Sequence, residues 1–264
     1  MDIVQIVILS LVQGISEFLP ISSSAHLVLV PKLFGWQDQG LAFDVAVHVG
    51  TLVAILFYFK DRIFKLLSDF LSSIRQRKMV GESMLVYAVG FATIPAGIFG
   101  LACGDLIEQY ARSGFVIATT TIIFGIMLYL ADKSPGLKSE ANITIKIALI
   151  IGVAQALALI PGVSRSGITI TAALFLGFNR ITSANFSFLM SIPIILLAGG
   201  LETIKLIKSN TTYEWTDLGL AFVLSAVSAY ICVKLFMGLI SRASMVPFVV
   251  YRLMLGVFLF YVFI

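Results

Sequence analysis

Apolar residues run along this chain in stretches long enough to cross a lipid bilayer, which takes about 20 residues. Six such runs stand out: Ala42–Phe59, Met84–Ala102, Phe115–Ala131, Asn185–Leu206, Leu218–Ile240 and Pro247–Ile264. Two further apolar segments are interrupted. The first reads Ile3–Leu19, then Pro20, then Ser22-Ser23-Ser24, then Ala25–Phe34. The second reads Ile143–Ile160, then Pro161-Gly162, then Ser164-Arg165-Ser166-Gly167, then Ile168–Gly177. Each half is too short to span. Proline has no amide donor and stops the first half, and small polar residues cap the second. The pattern predicts two helix–break–helix hairpins that enter the bilayer and return. Irregular backbone at that depth has to be buried in protein or line a wet cavity.

The charges give the runs a direction. The richest basic loop is Lys60–Lys78, with Lys60, Arg62, Lys65, Arg75, Arg77 and Lys78, and the positive-inside rule puts it in the cytoplasm. Counting spans from there, the first hairpin enters from outside. Asp132–Lys146, with Lys133, Lys138 and Lys146, lies inside, so the second hairpin enters from the cytoplasm with Arg180 on that side. The C-terminus ends outside, and the loop Lys205–Asp217, with two lysines and two acids, leaves the orientation unaffected. The chain thus reads as a hairpin plus three spans, twice, in opposite orientations. Gln13 ahead of Pro20 and Gln155 ahead of Pro161 echo the repeat. The expected fold is an all-α integral membrane protein with six transmembrane helices and two re-entrant hairpins. It forms one membrane domain over 1–264, with an inverted repeat whose halves cover about 1–131 and 143–264. Inverted repeats with broken helices place their site where the breaks meet.

Composition agrees: 59% of the 264 residues are apolar and 12% charged, and a soluble domain carries about twice that charge. The net charge of +4 sits mostly in loops, so topology explains it and nucleic acid is not an expected partner. Cys103 and Cys232 have apolar surroundings and read as packing residues. The first apolar run lacks a basic leader and a small-residue cleavage pattern, and is expected to be retained.

The polar interruptions carry the candidate chemistry. Gln13 and Glu17, four apart, share one helical face. A carboxylate beside an amide oxygen is the hard-oxygen ligation that suits Mg²⁺ or Ca²⁺. Capping or an ion pair within the fold is the plainer explanation of Glu17. Ser22, Ser23 and Ser24 open the next half-helix, whose free amides favour an anion; one of them would serve as a cap. His26 lies on the same face as Ser23, where it could take a proton from a hydroxyl or a water. In the second break, Gly162 permits close backbone approach. Arg165 offers planar donors that match phosphate oxygens, and Ser164, Ser166 and Thr169 add hydroxyls. Glu17 is the alternative partner for Arg165. Elsewhere, Asp44 and His48 read as a simple i,i+4 pair, Arg252 as a residue that snorkels to the cytoplasmic interface, and Gln155 and Asn185 as interhelical hydrogen-bond donors. A transporter or flippase shares this architecture, but transport needs binding only, whereas serine, histidine and arginine together favour chemistry.

Two long motifs, Gln13-Gly-Ile-Ser-Glu17-Phe-Leu-Pro-Ile-Ser-Ser-Ser-Ala-His26 and Pro161-Gly-Val-Ser-Arg-Ser-Gly-Ile-Thr169, closely resemble those of the undecaprenyl-diphosphate phosphatases, also called bacitracin-resistance proteins. Supporting stretches are Phe43–Thr51 and Phe186–Pro193, and the likeness runs nearly end to end. It implies a multi-pass enzyme of the bacterial inner membrane, its site facing the periplasm. The enzyme would convert undecaprenyl diphosphate to the monophosphate carrier used for cell-wall precursors, with a divalent metal, Mg²⁺ or Ca²⁺. The family's motif takes glutamate or glutamine at the position of Gln13, so Glu17 is the only motif carboxylate here. The roles that follow are Ser23 as nucleophile or orienter of water, His26 as proton acceptor, and Glu17 with Gln13 as metal ligands. The diphosphate would be bound by Arg165, Ser164, Ser166, Gly162, Thr169 and Ser22. A homodimer is left open.

Overall fold

The structure is a computed structural model and describes residues 1–134, 136–208 and 214–263. Among these residues it is helical throughout, apart from one isolated bridge between Lys138 and Phe178. The two interrupted segments form α1 (Ile3–Ser16) with α2 (Ser23–Phe34), and α7 (Ile145–Ala156, extended by a 3-10 turn Leu157–Leu159) with α8 (Arg165–Phe175). At 1.5 Å per residue, none of these four reaches the ~30 Å of a bilayer core. The six long apolar runs form α3 (Leu41–Tyr58), α5 (Ser83–Tyr110), α6 (Gly114–Asp132), α9 (Arg180–Lys208), α10 (Trp215–Ile240) and α11 (Val246–Phe263), each long and apolar enough to cross a membrane. Residues 209–213, within the stretch Lys205–Asp217 expected to be a loop, and Ile264, at the end of the last expected span, lie outside the described residues.

Two local expectations are corrected. α1 ends at Ser16, ahead of Pro20, and a turn fills 17–21, where Glu17 also accepts from Ser23 and Arg165 beyond the helix. The basic stretch read as a loop is a helix, α4 (Lys60–Gln76). Its Phe64, Leu67, Leu71 and Ile74 recur at helical spacing and are exposed, while Leu66 and Ser73 are buried. That is the pattern of a helix lying flat at an interface, with apolar side chains in lipid and lysine and arginine beside them.

The short helices pack on long ones from the other part of the chain: α1 on α10, and α7 on α5. α3 meets α9 and α10, α6 pairs with α11, and α8 lies against α6 and α9. Small residues set the closest approaches, as is usual where lipid removes the hydrophobic drive between helices. A Cβ on Gly14 would overlap the backbone of α10 at Ser225, and one on Gly152 would lie 2.8 Å from Cα of Ala92 in α5. Large side chains such as Leu101, Leu235 and Val257 point outward, where they meet lipid.

Ion pairs gather at one end of the bundle. Arg62 of α4 bonds both Glu140 and Glu82, and Asn185 Nδ2 also donates to Glu140 at 3.0 Å. Arg180 Nε donates to Asp132 Oδ1 at 2.5 Å, and the Met245 amide donates to the same carboxylate at 2.8 Å. Hydrogen bonding to Glu140 pushes the Arg62 guanidinium above its ordinary range, and the bond from Lys65 holds the Glu82 carboxyl below its own. At the other end the chain's first amine lies 3.8 Å from Asp217.

Gly152→Val is expected to destabilise the fold by about 1–3 kcal/mol, the usual cost of overpacking against backbone that cannot yield. Thermal unfolding in detergent, followed by size-exclusion chromatography, checks this. An unchanged midpoint would mean that α5 and α7 part easily.

Candidate functional site

Each break turns on a serine in a conformation that L-residues avoid. Ser22, before α2, has φ 72° and ψ 91°, and Ser164, before α8, has φ 70° and ψ 115°. Such backbone persists only where its surroundings over-determine it. Ser164 Oγ caps α8 by accepting from the Gly167 amide at 3.1 Å. Ser166 donates its only hydroxyl proton to the Leu19 carbonyl at 2.8 Å, so Ser164 is the donor in the 3.2 Å contact between Ser164 and Ser166. Ser22 and Ser24 hydroxyls lie 3.1 Å apart. Gly162, at φ 89°, has no room for a Cβ beside Thr120 and Ile117 of α6, so the second break needs glycine there on both counts.

The breaks meet at Glu17. Its Oε2 accepts from Gln13 Nε2 at 2.9 Å and from Ser23 Oγ at 2.8 Å; its Oε1 accepts from Arg165 Nη2 at 3.2 Å. Arg165 also donates to the Ser187 carbonyl at 3.3 Å and stands over the Phe18 ring. Glu17 is 8% exposed, whereas Ser23 and Arg165 keep partial exposure and Ser24 is open. A carboxylate, a hydroxyl and a guanidinium from two distant stretches of sequence therefore share one accessible point.

Other residues of the two motifs sit differently. Thr169 returns its hydroxyl to the Arg165 carbonyl at 2.8 Å and meets Ser187 Oγ at 2.7 Å, so it braces α8. His26 has both ring nitrogens engaged away from Ser23. Nδ1 is 2.7 Å from the Ser22 carbonyl, which can only accept, so Nδ1 carries the proton. Nε2 then accepts from the Tyr251 hydroxyl of α11 at 2.5 Å.

Three minor expectations are overturned. Arg252 does not snorkel: it is 0% exposed and its donors go to the carbonyls of Thr121, Pro20, Val163 and Gly162 at 2.9–3.3 Å. Facing carbonyls already at hand, it has no reason to leave the protein. His48 does not pair with the Asp44 carboxylate. Its Nδ1 bonds the Asp44 carbonyl at 2.7 Å and Gln39 takes the carboxylate, so His48 Nε2 faces Glu17 at 3.8 Å. The Gln155 side-chain amide has no hydrogen-bond partner among the described residues, while Asn185 does donate. His48 and Tyr251 are the site's neighbours that sequence reasoning missed. A histidine within an apolar span is itself a signal, and His48 carried it; a tyrosine in the last span carries none.

A divalent ion can be weighed against these atoms. Among the described residues, no group of three or more His, Cys, Asp or Glu could hold a metal. Gln13 Oε1 is buried with no hydrogen-bond partner, on the amide whose Nε2 donates to Glu17. One carboxylate and one orphaned amide oxygen suit Mg²⁺, which keeps waters and takes phosphate oxygens to complete its shell.

The family model described as bacitracin resistance protein BacA matches residues 6–258. The chain is 75% identical over 264 residues to the undecaprenyl-diphosphatase of Campylobacter curvus (strain 525.92), covering 100% of both. It is 72% identical to that of Campylobacter concisus (strain 13826) over the same span, and 55% identical to that of Teredinibacter turnerae over 98% of this chain and 99% of the relative.

Glycine relieves positive-φ strain, so Ser22→Gly should raise the thermal midpoint by the equivalent of about 1 kcal/mol, whereas Ser22→Ala should not. Parallel melts of the two variants decide it: equal midpoints would mean that the turn is unstrained.

Proposed function

The chain belongs to the bacitracin resistance protein BacA family, and from that premise we propose that its two breaks together form the hydrolytic site for undecaprenyl diphosphate. It is a multi-pass membrane diphosphatase that yields undecaprenyl phosphate and inorganic phosphate. The observation that carries the placement is Glu17 bonded at once by Ser23 and by Arg165, one from each break.

The architecture proposed is a pair of re-entrant hairpins in an inverted repeat. In support, α1, α2, α7 and α8 are too short to cross, and α1 leans on α10 as α7 leans on α5. Arg62, Glu140, Arg180 and Asp132 gather the basic segments at one end, which the positive-inside rule assigns to the cytoplasm. The site then opens outward, toward the periplasm: His48, beside Glu17, lies roughly two turns from the Leu41 end of α3.

The reaction breaks the bridging P–O bond of the diphosphate. Ser23 Oγ attacks the terminal phosphorus, or orients the water that does, and its proton passes to the Glu17 carboxylate it already contacts. The leaving group is the lipid monophosphate, which needs no proton. If Ser23 attacks, a water then cleaves the phosphoserine, Glu17 returns the proton to Ser23 Oγ, and inorganic phosphate is released. Arg165 turns from Glu17 to the phosphoryl oxygens, where its charge counts most as negative charge builds up. The amides at the starts of α2 and α8 face the same oxygens, while the Ser164 and Ser166 hydroxyls, engaged with Ser166 and with the Leu19 carbonyl, brace the second break. Glu17 and Gln13 Oε1 would hold the divalent ion, which when bound neutralises phosphate charge. His26 fixes the turn at Ser22. The isoprenoid tail lies along the apolar helix surfaces, which gives affinity and little rate.

Phosphate release from undecaprenyl diphosphate by the purified chain in detergent tests the reading, because flipping needs a bilayer and hydrolysis does not. Arg165→Lys should lower kcat about 10²-fold, Glu17→Gln should abolish turnover, and a chelator should suppress it. Near-normal turnover in Glu17→Gln would sink the proposed site. Ser23→Ala separates the routes: residual turnover favours water, and none favours a phosphoserine.

A further inference from the structure

Two consecutive residues of α11 reach the two breaks. Tyr251 donates to His26 Nε2 at 2.5 Å, its ring parallel to the imidazole with centroids 5.6 Å apart. His26 Nδ1 in turn holds the Ser22 carbonyl at 2.7 Å. Arg252 holds the Val163 carbonyl at 3.0 Å and the Gly162 carbonyl at 2.9 Å, and crosses to the Pro20 carbonyl at 3.3 Å. In a trans peptide a carbonyl and the next amide point in opposite directions. The Ser22 carbonyl drawn to His26 thus sends the Ser23 amide away from α11, and the Val163 carbonyl drawn to Arg252 does the same to the Ser164 amide. These amides open α2 and α8, where orphan donors favour an anion. The strained φ values of Ser22 and Ser164 fall at these same two points.

We propose that Tyr251 and Arg252 are positioning residues that aim the amides of both breaks at the substrate's phosphates, Tyr251 through His26 and Arg252 directly, a role that rests on the phosphate-handling reading above. Without the Tyr251 hydroxyl, His26 Nε2 loses its donor, the imidazole can turn, and the Ser22 carbonyl is released. Contacts to the phosphate then weaken, while tail binding stays. The signature is a fall in kcat/KM for the lipid diphosphate matched by an equal loss of affinity for the bare diphosphate.

Tyr251→Phe removes only the hydroxyl and keeps the stacked ring. In the full chain in detergent with Mg²⁺, kcat and KM for undecaprenyl diphosphate are measured, along with the Kd for inorganic pyrophosphate by calorimetry. Tyr251→Phe should lower kcat/KM and weaken pyrophosphate about tenfold each, the worth of one hydrogen bond to a polar site. In a His26→Ala background the same change should cost nothing more, since the two act as a unit. Arg252→Lys should weaken pyrophosphate as well; if it does not fold, Tyr251→Phe decides alone. Unchanged kcat/KM and pyrophosphate affinity in Tyr251→Phe, an equal loss with and without His26, or a wild-type chain that does not bind pyrophosphate would each overturn the proposal. A wild-type chain that releases no phosphate, yet binds pyrophosphate in a Tyr251-dependent way, would overturn the hydrolytic reading and leave this one standing.

Discussion

Where a helix breaks off inside the protein its carbonyls need donors, and here one buried guanidinium serves three such carbonyls and a fourth in α6. Arg252 serves Thr121 in α6, Pro20 in the first break, and Gly162 and Val163 in the second. The two breaks are thereby tied to each other and to the α6–α11 pair through one side chain. A planar, five-donor group suits that task, and a lysine would leave carbonyls unpaired. Arg252 also brings a positive charge close to both turns, with neutral carbonyls around it. The proposed diphosphate site would gain from that field, because a charge surrounded by dipoles alone keeps its reach.

The second cation, Arg165, stands differently. It is bound to Glu17 and partly exposed, so it can exchange one anionic partner for another. Glu17 gathers what the breaks offer: a hydroxyl, an amide and a guanidinium, with His48 close by. Losing Glu17 would therefore loosen both halves as well as the chemistry. The division is a physical one. Arg252 is held by groups that cannot move, and Arg165 by one whose place a phosphate can take.

Around this centre the rest of the bundle follows from lipid. Side chains on the outer faces are large and apolar, contacts between helices rely on small residues such as Gly14 and Gly152, and charged residues gather at the ends. α4 belongs to the same logic, since its apolar stripe has no protein to cover it and its basic residues flank that stripe.

Six spans and two interruptions were legible in the apolar runs, because a bilayer imposes length and hydropathy on any crossing helix. The motif residues were legible too, because charge and hydroxyls are costly at such depth and mark themselves. Lys60–Lys78 misled: basic content reports which side of the membrane a segment is on, and says nothing of whether it is helical. The sequence also placed His26 beside Ser23, since a helical face was all it could offer. Tertiary structure alone turned His26 to Tyr251, brought His48 to Glu17, and buried Arg252 among carbonyls contributed by residues 89 to 232 positions away. Hydrogen-bond partners depend on which helices cross, and the pairing of α11 with α6 and of α1 with α10 is set by packing that no local pattern encodes. The chain by itself determined which residues would have to be satisfied inside the membrane, and the fold decided by whom.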